Sequence, residues 1–268
     1  MQWEKFGTDV AKEAADVILT DDNFATIETA VEEGRRIYDN ILKVIQFLLS
    51  SNIGEVVVLF LAVMLTPVFA DWFGISDVSS LTPLLAVHIL WVNLVTDSLP
   101  ALALAVDPEE PDIMNRPPRK NSKGMFTAGM VYRIVYQGIM IGILTLLAFI
   151  VGLSSTSGMP EAERIKIAQT MSFTVLAFSE LVHVFNIRNN AKSVFKTGIF
   201  NNSKLLLATG VSCVLVLSVL FIPFLRDIFS IAVLPKENIF EVIVLVISPL
   251  VIVEILKLLK INTLKNEK

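Results

Sequence analysis

The sequence predicts an all-α membrane protein. The expected form is a six-helix transmembrane bundle with a long cytoplasmic stalk helix and a short α/β remnant at the N-terminus. Three observations predict it. Of 268 residues, 54% are hydrophobic and the mean hydropathy is +0.67, too apolar for a soluble domain of this length. Six apolar runs reach spanning length, at about 44–69, 83–105, 134–153, 167–187, 205–225 and 239–259. An amphipathic, charged run leads into the first of them without a break.

Composition closes off several alternatives. The net charge of −4 says little, because its distribution matters more than its sum. The single cysteine, Cys213, lies in an apolar run, so neither a disulfide framework nor a thiolate metal site is expected. Met1-Gln2-Trp3-Glu4-Lys5 is polar and is not a secretory signal. The bilayer is the expected partner, and no nucleic acid is.

Residues 1–24 are soluble in character. Ala15-Asp16-Val17-Ile18-Leu19-Thr20 reads as a strand, and Asp21-Asp22-Asn23 as a turn that caps the stalk helix. So short a piece cannot bury a core, so it is expected to be the end of a larger domain. Residues 25–268 form the expected membrane domain. In its stalk, Ile27, Val31, Ile37, Ile41, Val44 and Ile45 alternate with Glu28, Glu32, Glu33, Arg35, Arg36 and Asp39. Within the first span, Asn52 and Glu55 stand at i, i+3 and share a face, with Gly54 between them.

The second span holds the densest polar cluster, Asn93, Thr96 and Asp97, at i, i+3 and i+4. Pro100 has no N–H for the carbonyl of Thr96, so a helix break beside Asp97 is expected. Irregular backbone at membrane depth is tolerated where it lines a protein-enclosed cavity. A carboxylate, an amide, a hydroxyl and a freed carbonyl on one face make an oxygen-lined cation site. A lone Thr or Asn would more often be interhelical glue, but an Asp at mid-bilayer costs about 2.5–3.5 kcal/mol. The run 107–120 is charged and proline-punctuated, a rigid loop. In the third span Gly138 and Gly142 form a GxxxG pair that permits close helix approach. The fourth span carries Glu180, read as functional by default, and His183, equally open to packing. Glu241 and Glu254, near the ends of the sixth, are expected at the interface.

Loop charge sets the expected orientation. After the stalk, its side carries twelve Lys and Arg, namely Arg116, Arg119, Lys120, Lys123, Arg188, Lys192, Lys196, Lys204, Lys257, Lys260, Lys265 and Lys268, and the other side four, Arg164, Lys166, Arg226 and Lys236. With an even number of spans, both termini are expected in the cytoplasm. Glu55, Asp97 and Glu180 all fall in the middle half of their spans, so cations or protons must neutralise them. Oxygen-only ligands rich in carboxylate suit a hard cation, Ca²⁺ better than Mg²⁺, and disfavour Cu⁺ or Zn²⁺.

Several of these motifs together resemble a known family. Asn52-x-Gly54-Glu55, the run Trp91 to Ala101, and Asp112-Ile113-Met114-x-Arg116-Pro117-Pro118-Arg119 resemble the C-terminal half of P-type ATPases, most closely the sarco/endoplasmic-reticulum-type calcium pumps. Gly7-Thr8-x-Val10-Ala11-Lys12-x-Ala14 and Leu19 to Phe24 resemble the end of that family's phosphorylation domain. The resemblance implies that Asn52, Glu55, Thr96, Asp97 and Glu180 bind one calcium, and that Asn93 and Asp97 serve a second. It implies that Gly54 packs on the helix of Gly138 and Gly142. The six spans would be the family's fifth to tenth.

The family's Asp-Lys-Thr-Gly-Thr and Gly-Asp-Gly motifs do not occur in these 268 residues. The chain alone is therefore expected to be inactive. ATP and Mg²⁺ would act only through an N-terminal half, the expected partner, and Ca²⁺ would be the transported ion. The plasma membrane of a prokaryote is the expected location. Two other readings stay open: a stand-alone leak or regulatory module, and a pump for Mn²⁺, Na⁺ or H⁺.

Overall fold

The computed structural model describes residues 2–3, 8–16, 18–19, 23–110, 112–118 and 124–259. In chain order the elements begin with β1 (Gln2–Trp3), α1 (Asp9–Glu13), β2 (Ile18–Leu19) and α2 (Phe24–Phe73). Next come α3 (Ala86–Trp91), a π-helical segment (Val92–Asp97) and α4 (Ser98–Ala105). The remainder is α5 (Ala128–Ser155), α6 (Glu161–Ile187), α7 (Val194–Thr197), α8 (Ser203–Phe221), α9 (Pro223–Phe229) and α10 (Lys236–Leu258). Among the described residues, six helical stretches are long and apolar enough to cross a membrane: α2, α3 through α4, α5, α6, α8 and α10.

The expected α/β remnant is corrected: the fold is all-α. Among the described residues the N-terminal region has no sheet layer, only a two-residue parallel pairing of β1 with β2 beside a five-residue helix. The strand expected over Ala15–Thr20 is reduced to Ile18–Leu19, with Val17 and Thr20 outside the described residues. The physical reason is burial. Val10 is 77% exposed and Ile18 42%, so these apolar side chains are left uncovered among the described residues. Of the expected Asp21-Asp22-Asn23 cap, Asp21 and Asp22 also lie outside the described residues. Asn23 does cap α2, its side chain accepting from the Ala25 N–H at 3.0 Å.

The 50 residues of α2 make a rod about 75 Å long, enough for a stalk and a span. It ends at Gly74, whose φ of 61° places it in the left-handed region, with its N–H on the Ala70 carbonyl. The loop after it is fastened to the start of α6, where the Glu161 carboxylate accepts the Ser76 and Asp77 N–H groups at 2.8 and 2.9 Å. Donation from Ser79 holds the exposed Asp77 carboxyl below its ordinary pKa.

Inside a bilayer, apolar side chains gain nothing by leaving lipid for protein, so small residues decide which helices touch. A Cβ built on Gly152 of α5 would lie 2.6 Å from the Ala168 Cα of α6, which measures how closely these helices approach. α6 is the central post, with Phe173, Leu176, Ala177 and Leu181 all buried. α8 and α10 pack around it and leave faces such as Leu207, Val214 and Val244 for lipid.

At the stalk end of the membrane a buried ionic knot ties four segments together. The Asp107 carboxylate accepts from Lys43 Nζ at 2.9 Å, Arg188 Nε at 3.1 Å and Asn202 Nδ2 at 2.8 Å. Beyond it, Arg116 pairs with Asp39 and Glu110, both at 2.7 Å, and Arg35 Nη1 donates to the carbonyls of Ile113 and Arg116. The loop segments 107–110 and 112–118 are thus fixed along the stalk.

Candidate functional site

The site is built on three helices. Glu55 projects from α2, Asn93, Thr96 and Asp97 from the π segment, and Glu180 from the C-terminal half of α6. Their depth is extreme: Glu55 is 5% exposed, Asp97 1%, and Thr96 and Glu180 0%.

The π segment is the local answer to Pro100. The helix does not unwind there. It widens over Val92–Asp97 and runs on through Pro100 in α4. Widening shifts the backbone pairing by one residue, which accommodates the missing N–H. Hydroxyls pair with the loosened carbonyls: Ser98 Oγ donates to the Asn93 carbonyl at 3.1 Å, and Ser212 Oγ of α8 to the Val95 carbonyl at 3.0 Å. The wider turn leaves Thr96 and Asp97 buried, with Asp97 facing Glu55 and Ser51 of α2 and Glu180 of α6.

Across the α2 boundary, Asn93 Nδ2 donates to both Glu55 oxygens, at 2.7 and 2.8 Å, and to the Ile89 carbonyl at 3.1 Å. The deeper carboxylates lack such support. Both oxygens of Asp97, both of Glu180 and the Thr96 hydroxyl are buried without a hydrogen-bond partner. Asp97 and Glu180 nevertheless act on each other electrostatically, both feel Glu55, and Ser51 stands by both. The approaches stop short of hydrogen-bond geometry. Among the described residues no three acidic, histidine or cysteine side chains converge closely enough to enclose a metal. The three carboxylates therefore neighbour one another without forming a closed cage. Unpaired carboxylates at this depth demand a neutralising cation or proton.

Asn52 stands apart. It is exposed, and its Nδ2 donates to its own helix at the Leu48 carbonyl, 2.7 Å. Asn52 and Glu55, which share a helical face by spacing, thus send their side chains to different places. The glycines bring α2 and α5 together. A Cβ on Gly142 would stand 2.8 Å from the Gly54 carbonyl oxygen, and one on Gly138 2.8 Å from that of Ser50. Gly54 itself faces Ile141 and the Gly138 carbonyl.

Sequence reasoning missed Ser51 and Ser179, whose buried hydroxyls also have no partner. Ser51 lies four residues before Glu55, so helical spacing was the available signal. His183 is fully buried, its Nδ1 meeting Asn186 Nδ2 at 3.4 Å and its Nε2 unpaired. Glu241 accepts from Asn238 at 2.8 Å, and Glu254 from Lys257 at 3.0 Å and the Val194 N–H at 3.1 Å.

Known proteins are similar in sequence. "Calcium-transporting ATPase 1" of Bacillus cereus is 47% identical over 266 residues, 96% of this chain and 28% of that protein. "Calcium-transporting ATPase" of Bacillus subtilis is 42% identical over 232 residues, 86% of this chain and 24% of its own. "Endoplasmic reticulum calcium ATPase srcA" of Aspergillus fumigatus is 37% identical over 250 residues, 84% and 24%. The chain thus spans about a quarter of the length of these curated relatives. Bacterial and endoplasmic-reticulum-type pumps both match, so the likeness is not specific to the sarco/endoplasmic-reticulum subgroup. The family model described as "Cation transporting ATPase, C-terminus" matches residues 81–259, and the chain belongs to that family, the C-terminal membrane region of P-type cation-transporting ATPases.

Proposed function

We propose that this chain supplies the ion-binding membrane half of a calcium-pumping ATPase. The observation that carries the reading is the trio Glu55, Asp97 and Glu180, drawn from three helices and buried to 5% exposure or less, with the oxygens of the last two unpaired. The names of the similar proteins support calcium as the cargo. In this reading Glu55, Thr96, Asp97 and Glu180 are ligands of one ion, and Asn93 with Asp97 serves a second. Asn93 presents its amide nitrogen to Glu55. Loading a cation would require that amide to turn and offer Oδ1 instead. Asn52 stays outside the ligand set unless its side chain leaves the Leu48 carbonyl.

ATP and Mg²⁺ act, in this reading, through the sequence that the relatives have beyond the matched quarter. Residues 1–24 would be the end of the phosphorylation domain feeding the stalk. Both termini would be cytoplasmic, in a prokaryotic plasma membrane, as the loop charges and the two Bacillus relatives support.

The test is a chimaera. Residues 1–268 replace the matched portion of the Bacillus cereus relative, and calcium-dependent phosphoenzyme formation is followed in membrane vesicles. Activation by calcium, lost in Asp97→Asn, is the expected result. An Asp97→Asn chimaera with unchanged calcium activation would remove Asp97 from the site and overturn the assignment.

A further inference from the structure

On the side of the bundle away from the stalk, an apolar cavity of about 530 Å³ opens between α6, α8 and α10. Phe178, Leu217, Phe221, Ile239 and Ile243 form its walls, and Arg226 of α9 stands at its edge. A second cleft of about 520 Å³ shares Arg226, Ala232 and Val233 with the first. It adds Lys166, Glu163 and Asp227. An apolar slot and a polar cleft therefore adjoin, with Arg226, Ala232 and Val233 forming the wall between them.

The two cations here have no carboxylate partner among the described residues. Arg226 uses Nη2 on the Phe221 carbonyl at 3.0 Å, and its Nε is buried without a partner. Lys166 has no ion pair among the described residues, and its ammonium makes no hydrogen bond among them. By contrast, neighbouring Arg164 is committed to the carbonyls of Phe73 and Leu153, both at 3.1 Å. Arg226 and Lys166 are two of the four basic residues on this side of the bundle, and they meet at one opening.

We propose that the joined slot and cleft form a binding site for one anionic phospholipid, with an acyl chain in the slot and the phosphodiester between Arg226 and Lys166. The volume lies within the roughly 300–1,000 Å³ of sites that hold a small apolar ligand. The slot opens toward the bilayer, since Phe221 is 69% exposed, Val233 70% and Ile243 50%. Lipid is thus the occupant with direct access. An acyl chain is as well solvated in the bilayer as in the slot, so the chain gives little selectivity. Discrimination has to come from charge, about fivefold in affinity for each basic residue near the headgroup.

The purified full chain in neutral detergent, titrated with phosphatidylglycerol or phosphatidylcholine of identical acyl chains and read by native mass spectrometry, tests this. A one-to-one adduct that prefers phosphatidylglycerol several-fold is expected. Arg226→Gln should weaken phosphatidylglycerol about fivefold and leave phosphatidylcholine unchanged. Asp227→Asn removes a repelling charge from the cleft and should tighten phosphatidylglycerol, a gain that misfolding cannot mimic. Ile243→Trp, which fills the slot, should reduce both adducts. Equal binding of the two lipids overturns the proposal. So does an Asp227→Asn chain that binds phosphatidylglycerol no better than wild type.

Discussion

Two glycines, one in the stalk and one in the bundle, should respond to alanine with opposite signs. Gly34 lies in the stalk part of α2, and a Cβ there would meet nothing within 4 Å. Gly34→Ala removes the entropic penalty of a mid-helix glycine and should stabilise the chain by about 0.5–1 kcal/mol. Gly142→Ala gains the same term in α5 but meets the Gly54 carbonyl oxygen and Val57 Cγ1, both at 2.8 Å. Ordinary contact begins near 3.4 Å, so the helices must part by about 0.6 Å, and a carbonyl cannot rotate away. Overpacking of this kind costs about 1–3 kcal/mol, which outweighs the propensity gain. The assay is unfolding of the purified chain in mixed micelles, with helicity followed against the mole fraction of denaturing detergent. Gly54 precedes Glu55, so parting here also displaces a proposed ligand. Gly142→Leu should therefore lower calcium affinity in the chimaera while insertion proceeds. A Gly142→Ala chain as stable as wild type would refute the close approach of α2 and α5.

Four further outcomes are expected. Asp107→Ala leaves the buried Arg188 and the partly buried Lys43 without their shared carboxylate and should cost about 3–5 kcal/mol in the same unfolding assay; a loss below about 1 kcal/mol would show that water replaces it. Single cysteines at Ser76, Ser157 and Met125 in a Cys213→Ser background should divide in sealed cells: the first two react with an impermeant maleimide and the third does not, and labelling at Met125 reverses the topology. In the chimaera, Glu180→Gln should be milder than Asp97→Asn, because the carboxamide keeps an oxygen and Glu180 serves one proposed ion. Calcium activation should also weaken as pH falls, because protons compete with the cation for all three carboxylates, and activation independent of pH would count against carboxylate ligands.

What the sequence disclosed depended on how local the physics was. Spans are set by runs of apolar residues, so six were legible without any contact information. The cap at Asn23 and the depth of Asp97 and Glu180 were legible for the same reason. The α/β remnant was misjudged because Ile18 and Leu19 have strand-like chemistry, and propensity does not reveal that Ile18 stays 42% exposed. Pro100 was expected to break its helix. Its missing N–H is instead absorbed one turn earlier, which depends on Ser212 from another helix and could not be read locally. Asp107 was the largest omission. It reads as the first residue of a charged loop, but its carboxylate is buried because Lys43, Arg188 and Asn202, up to 95 residues away, reach it. Asn52 shows the converse, since spacing places it beside Glu55 and its own helix carbonyl takes it away.

The π segment is held in place from both of its ends. At the α4 end, the Asn40 side chain donates to the Asp107 carbonyl at 2.8 Å, and the Asp107 carboxylate is tied to α2, to Arg188 at the end of α6 and to the residue preceding α8. At the α3 end, His88 uses both ring nitrogens. Nδ1 accepts the Leu85 N–H at 3.3 Å, so Nε2 carries the proton and donates to the Phe229 carbonyl at 2.7 Å. The ring also packs on Phe173 at 4.8 Å, and Trp91 meets Phe229 edge-on at 5.0 Å. A helix pinned at both ends cannot slide or tilt freely, so strain introduced between the pins is taken up between them. The six residues Val92–Asp97 are the one stretch there with irregular pairing, and they carry Asn93, Thr96 and Asp97. Rearrangement on cation binding should therefore be confined to this turn, with the Asn93 amide and the Thr96 carbonyl moving while Asp107 and His88 hold. Hydrogen exchange of the chain should place the fastest amides of this span at Val92–Asp97, and uniform protection from Ala86 to Ala105 would remove the turn's special role.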